Sequence, residues 1–285
     1  MSAKLELQNV TYYYGKGTAF EVKALDNVSF AVKEKTITGL IGHTGSGKST
    51  LAQLFNGLEK PTEGKVLLDG CDIWDKKYNG GRLCFRVGLV MQYPEYQLFE
   101  ETVFNDIAFG PRNKGIKEDE VKQLVMDAVS FVGMPTEILD QSPFDLSGGQ
   151  KRRVAIAGIM AMHPEVLVLD EPAAGLDPAG RADIFAGIRK YRDTTGATVI
   201  IISHSMEDMA EYCDDVIVMH KGKVMLTGPK DSVFGDSDKL VRAGLDIPQI
   251  TRIMRLLKEN GLDVNASVCT KDQAVAELIK AFKLK

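Results

Sequence analysis

The nine residues "GHTGSGKST" at 42–50 constrain this chain more than any other stretch. They fit the glycine-rich phosphate-loop pattern from Gly42 through Gly47, Lys48 and Ser49, between an apolar run, "TITGLI", and a helix-forming one, "TLAQLFNGL". A strand that ends on such a loop and feeds a helix implies an α/β sheet, since strand tip and helix start together aim the loop amides. Gly42, Gly45 and Gly47, with His43, Thr44 and Ser46 between them, let backbone NH groups close around phosphate oxygens. Lys48 reaches the β and γ phosphates, Ser49 ligates magnesium, and Thr50 opens the helix with them.

The rest of the chain agrees with a sheet of this kind. "VGLVM", "VLVLD" and "TVIIIS" are short, apolar and β-branched, as strands covered by helices on both faces are. Alternation in "KLELQNVTYYY" and "NVSFAV" predicts half-buried antiparallel strands at the start, and "DVIVMHKGKVMLTG" a hairpin turning at Lys221 and Gly222. In "EDEVKQLVMDAVSFV" one apolar stripe, Val121, Leu124, Val125, Ala128, Val129 and Val132, marks a core-facing helix. It belongs to a mostly helical insertion over about 93–160 between two core strands. After Pro229 the character turns polar with amphipathic helices, and this tail reads as an appendage to the nucleotide core.

With 285 residues the chain can bury about 75% of its unfolded surface without crosslinks. Cys71, Cys84, Cys213 and Cys269 lack paired metal-ligand spacing and read as reduced thiols, which favours the cytoplasm. No apolar run approaches the ~18 residues of a membrane span, and no secretory pattern opens the chain. A net charge of -4 with dispersed basic residues argues against nucleic acid as a partner.

Two carboxylates complete the phosphate site. Asp170 and Glu171 end the strand "VLVLD", Asp170 to hold the metal and Glu171 to orient the attacking water and take its proton. Gln92 after "VGLVM" and His204 after "TVIIIS" project from the same edge of a parallel sheet, to the γ phosphate and, for Gln92, the metal. A second anion-binding start then appears at "LSGGQ", where Ser147, Gly148, Gly149 and Gln150 open a buried helix. Lying across the helical insertion, it cannot readily fold back on its own phosphate loop. It can serve the loop of another subunit, so that two chains sandwich two ATP molecules.

In this order, "GHTGSGKST", Gln92, "LSGGQ", "VLVLDEP", "GLD" and His204 resemble the nucleotide-binding subunit of ABC transporters. The resemblance implies a P-loop NTPase of ABC type: a mostly parallel core sheet, an N-terminal antiparallel β subdomain, a helical subdomain and a C-terminal α-rich extension. The nucleotide-binding domain would span 1–229, and the extension over 230–285 would serve dimerisation or regulation. It also puts Tyr14 on the adenine, with Tyr12 and Tyr13 as substitutes, and gives Asp177 of "GLDP" the link between the two sites. "QYPEYQLFEETVFNDIAFGP", "DEPAAGLDPAGR" and the tail ending in "GLDIP" resemble more narrowly the energy-coupling factor class, and within it the A-prime ATPase. Ala173, where threonine is usual, is a departure that removes no assigned ligand. What this implies is an ATPase with ATP and Mg²⁺, peripheral on the cytoplasmic face of the cell membrane, powering uptake of a vitamin or of nickel or cobalt. Its partners would be a paralogous ATPase in preference to an identical copy, a transmembrane coupling protein and a substrate-binding membrane protein. The coupling protein would dock near Tyr93, Tyr96, Leu98 and Phe99, unless these merely anchor a loop in the core. A soluble ABC-type ATPase of cluster assembly or nucleic-acid repair shares every nucleotide motif, and a P-loop kinase shares the first.

Overall fold

The computed structural model describes residues 2–75 and 82–282. The chain opens with β1 (Ala3–Tyr14) and β2 (Val22–Lys33), paired antiparallel. In β2 the residues Val28, Phe30 and Val32 are buried while Asn27, Ser29 and Ala31 face solvent, the period of two that a half-covered sheet imposes. β3 (Ile37–Gly42) is buried at every residue and runs through the phosphate loop into α1 (Lys48–Asn56). β4 (Glu63–Leu68) and β5 (Cys71–Asp72) return to the first sheet, giving it the order β2-β1-β4-β5. α2 (Leu83–Arg86) leads into β6 (Val87–Val90).

Three helices follow before the next strand: α3 (Val103–Asn113), α4 (Glu118–Phe131) and α5 (Gly148–Met160). The stripe on α4 is buried as its spacing requires, with Val121, Val125, Ala128 and Val129 in the main core. Then come β7 (Val166–Asp170), α6 (Pro178–Thr195), β8 (Thr198–Ile202), α7 (Met206–Tyr212), β9 (Asp215–His220) and β10 (Lys223–Pro229). The second sheet has the order β10-β9-β3-β8-β7-β6, parallel except for β10. Lys221 and Gly222, at φ +48° and +76°, make the β9–β10 turn with two left-handed residues, the form that matches strand twist.

Because β6, β7, β8 and β3 are adjacent and parallel, their carboxyl ends deliver Gln92, Asp170, His204 and the phosphate loop to one edge. One core cluster lies between this sheet and the helices around it, and a second fills the space between the two sheets around α1. No helix among the described residues is long and apolar enough to cross a membrane.

The tail differs from the appendage expected. α8 (Lys230–Gly235) and α9 (Ser237–Arg242) bury Val233, Phe234 and Leu240 in the main core, and Leu245 and Ile247 join them. Only α10 (Gln249–Glu259) and α11 (Lys271–Ala281) build a small cluster of their own, around Met254, Val264, Val268 and Ala274. The buried apolar residues of 230–247, Val233, Phe234, Leu240, Leu245 and Ile247, are irregularly spaced among charges, and Val241 beside them is exposed, so they leave no stripe in the sequence.

Candidate nucleotide site

The phosphate loop is shaped by what surrounds it. Gly42 sits at φ +153°, where an added Cβ would lie 2.4 Å from the Met219 carbonyl oxygen and 2.6 Å from Ser46 Oγ, so only glycine fits. Lys48 is buried, and its ammonium donates to the carbonyls of Gly42 (2.6 Å) and His43 (2.9 Å). Burial pulls the Lys48 pKa below the ordinary lysine value, while the charges of Asp170 and Glu171 oppose that shift. The lysine thus rests on the loop's own oxygens, partners that phosphate oxygens can replace.

At the tip of β7, Asp170 Oδ2 stands 3.5 Å from Ser49 Oγ. Burial raises the Asp170 pKa, Glu171's charge adds to the rise, and Lys48 counters it. A cation beside Asp170 would relieve that burden. The oxygen donors of Ser49, Gln92 and Asp170 are hard and few, which suits Mg²⁺, an ion that keeps waters and binds substrate phosphates.

Glu171 has a left-handed backbone, φ +51°, and its NH donates to the Ile202 carbonyl at 2.9 Å. A non-glycine residue held there carries about 1–3 kcal/mol of strain, a cost tolerated where a side chain must be aimed. Its Oε2 accepts from Ser203 Oγ at 3.2 Å, and its Oε1 lies 3.6 Å from His204 Nε2. That Oε1 is buried without a hydrogen-bond partner, an acceptor with a free lone pair at the end of the strand.

A cavity of about 360 Å³ gathers Tyr14, Thr44, Gly45, Gly47, Lys48, Ser49, Thr50, Gln92, Asp170, Glu171 and His204. Of the three tyrosines only Tyr14 lines it, its hydroxyl 3.0 Å from Thr50 Oγ1 and its ring edge-on to Tyr12. Tyr12 is buried and donates to Glu59 at 2.6 Å, and Tyr13 lines a different cleft. Gly42, His43 and Ser46 belong to the loop but not to the cavity wall.

Ser147, Gly148, Gly149, Gln150 and Asp177 do not line this cavity either. Ser147 caps α5 in a closed box: its Oγ accepts from the Gln150 NH (3.4 Å) and Gln150 Oε1 accepts from the Ser147 NH (2.9 Å). Gly148 is exposed, and a Cβ there would meet nothing within 4 Å. Asp177, also exposed, caps α6 by accepting from the Gly180 NH at 2.7 Å.

Sequence reasoning passed over two residues. Ser203 steadies Glu171, as above. Arg152, only 4% exposed, donates to the carbonyls of Glu171 and Ala174 and lies 3.3 Å from Glu95, tying α5 to both loops. Its signal was an arginine four residues before Ile156, on the buried face of an apolar helix. Following Glu95 in the chain, residues 97–99 line an apolar groove of about 360 Å³ together with α2, α3 and α5, its wall including Leu98, Phe109, Gly158 and Met162. Tyr93, Tyr96 and Phe99 are exposed, while buried Pro94 and Leu98 and the Glu95–Arg152 pair anchor the segment between them.

The profile of the ABC transporter family matches residues 25–174. The chain is 50% identical to the energy-coupling factor transporter ATP-binding protein EcfA2 of Clostridium tetani, over 100% of this chain and 99% of that protein. Among solved structures it resembles cbiO1 of Clostridium perfringens, part of the ABC transporter complex cbiONQ (37% identity, TM-score 0.75, 90% of this chain and 100% of that one). It also resembles the dimeric ATP-binding cassette MJ0796 in a post-hydrolysis state with ADP and Pi (27% identity, TM-score 0.71, 79% and 98%). With half of its residues shared along the whole length of such a relative, the chain belongs to the ABC transporter ATP-binding proteins, in the energy-coupling factor group.

Proposed function

We propose that this chain works as one half of an ATP-driven clamp, the ATP-hydrolysing subunit of an energy-coupling factor importer. Hydrolysis of ATP is the activity of its family. The observation that carries the two-chain reading is Gly148. It opens a helix, where glycine costs stability; it needs no left-handed backbone; and no atom of its own chain uses the space its missing side chain leaves. Smallness that serves nothing within the chain serves something docked on it, and a solved relative is a dimer with ADP and Pi.

Each nucleotide would lie between one subunit's cavity and the partner's Ser147 helix start, with Asp177 between the two sites. Tyr14 supplies the face for adenine. Lys48 leaves the Gly42 and His43 carbonyls for phosphate oxygens, and Ser49, Asp170 and Gln92 are the residues that would hold Mg²⁺, which would supply neutralisation of charge on the phosphates. Glu171 Oε1, buried and unpartnered, takes the proton of the attacking water, and His204 beside it faces the γ phosphate. Closure follows because the γ phosphate accepts charge-assisted bonds from the helix start that ADP cannot offer, each worth about 1.5–3 kcal/mol.

The groove lined by residues 97–99 is where a transmembrane coupling protein would dock, and Arg152, through Glu95, connects that segment to the carbonyls next to Glu171. A paralogous ATPase is the favoured second half, with a substrate-binding membrane protein completing a peripheral complex at the cytoplasmic face. The cargo, a vitamin or a nickel or cobalt ion, would never touch this chain. The test is a hybrid dimer carrying Ser147→Ala in one subunit only. Hydrolysis should fail at the phosphate loop opposite the changed serine; failure at the changed subunit's own loop would refute the shared site.

A further inference from the structure

A strap from the C-terminal segment joins two loops of the nucleotide site. After α9 the chain turns at Gly244, φ +75°, and runs without regular secondary structure to Gln249, with Leu245 and Ile247 only 6% and 5% exposed in the main core. The turn is closed by the Gly244 NH on the Val241 carbonyl (2.8 Å) and the Leu245 NH on the Leu240 carbonyl (2.9 Å). At one end of the strap the His43 ring lies against this turn: a Cβ added at Gly244 would sit 3.0 Å from His43 Nε2 and 3.8 Å from its Cε1. At the other end the Gln249 NH donates to Glu207 Oε1 at 3.3 Å, so a carboxylate of α7 caps the start of α10. Glu207 follows His204 by three residues. The strap therefore touches the loop after β3 and the helix after β8, neighbouring strands of the sheet.

His43 does not line the cavity, but its carbonyl does the loop's internal work: it accepts from Lys48 Nζ at 2.9 Å and from the Ser46 NH at 3.1 Å. A ring held from outside thus fixes an oxygen that holds the catalytic lysine inside. We propose that His43 is a positioning residue through which the Gly244 turn sets the phosphate loop, so that nucleotide affinity and the C-terminal strap are linked. Linkage runs both ways: whatever the strap does to ATP affinity, ATP must do to the strap. The proposal rests on the nucleotide site described above.

Calorimetric titration of the full chain with ATP and magnesium chloride tests it. Gly244→Ala drives a methyl toward His43 and should weaken binding on the order of tenfold, below the ~100-fold a misplacement of about 1 Å can cost. With the ring gone the methyl has nothing to press on, so the double variant Gly244→Ala with His43→Ala should bind as His43→Ala alone does, itself weaker than the parent. Gly261→Ala carries the same left-handed strain at φ +92° with nothing within 4 Å, and should bind as the parent does. Independently, hydrogen exchange should show ATP slowing the amides of 244–249 in the parent chain and leaving them unchanged in His43→Ala at saturating ATP. Parent-like binding by Gly244→Ala or by His43→Ala, a double variant weaker than His43→Ala alone, or a strap indifferent to ATP each overturns the proposal. If Gly244→Ala fails to fold, the exchange comparison decides alone. A parent chain that binds no ATP would instead sink the nucleotide-site reading, and this one with it.

Discussion

Glu171 joins an unfavourable backbone to a buried oxygen without a hydrogen-bond partner, the two features on which its proposed role as the base rests. Replacing it with glutamine keeps the shape and removes the proton acceptor. Steady-state ATP hydrolysis should fall about 100-fold or more with ATP affinity retained, and near-parent turnover would exclude Glu171 as the base. The sequence singles out this residue as the candidate base because it follows an apolar strand whose tip stands beside a phosphate loop. It could not choose among Tyr12, Tyr13 and Tyr14, since alternation separates only neighbours and all three are chemically alike. In three dimensions Tyr12 turns into the core and Tyr13 toward another cleft, which supports Tyr14 in the proposed site. Ser203 was equally silent: a serine beside a histidine is unremarkable until a carboxylate oxygen is found 3.2 Å from it.

Among elements, the least advertised joint is ionic. Lys4 of β1 and Arg86 of α2 both hold Asp69 and Glu165, at 2.6–2.8 Å, pinning the antiparallel sheet to the turn before β7. The Arg86 guanidinium, with Lys4 helping, holds the Glu165 carboxyl down at about 2. A lowered carboxylate pKa stabilises the fold above the unfolded value near 4.5 and loses that contribution as pH falls toward 2. With Glu165 still 41% exposed, solvent screening reduces it to about 1 kcal/mol. Glu165→Gln should lower the melting temperature by about 2–4 °C at pH 7, and the gap should close steadily below pH 4.5. A gap unchanged at acid pH would show that the loss is packing rather than charge. Strands and the α4 helix were legible because burial on one or two faces writes a period into the sequence. The placement of α8 and α9 was not, because short helices joined by turns bury single residues at irregular intervals.

The whole molecule presents two unlike surfaces: a cavity lined by the phosphate loop, proposed to hold a nucleotide, and a helix start at which Gly148 faces open space. Gly148→Ala should therefore fold as well as the parent, or slightly better, since alanine is the better helix former, by less at this first helical position than the about 1 kcal/mol of a helix interior. The same change should abolish cooperative ATP turnover in the assembled pair; full turnover would mean that the space above Gly148 is not used. Folding yield and transport thus part company at this position. A survey scoring variants by soluble expression would pass this one as harmless, whereas a cell starved of the imported nutrient would reject it at once.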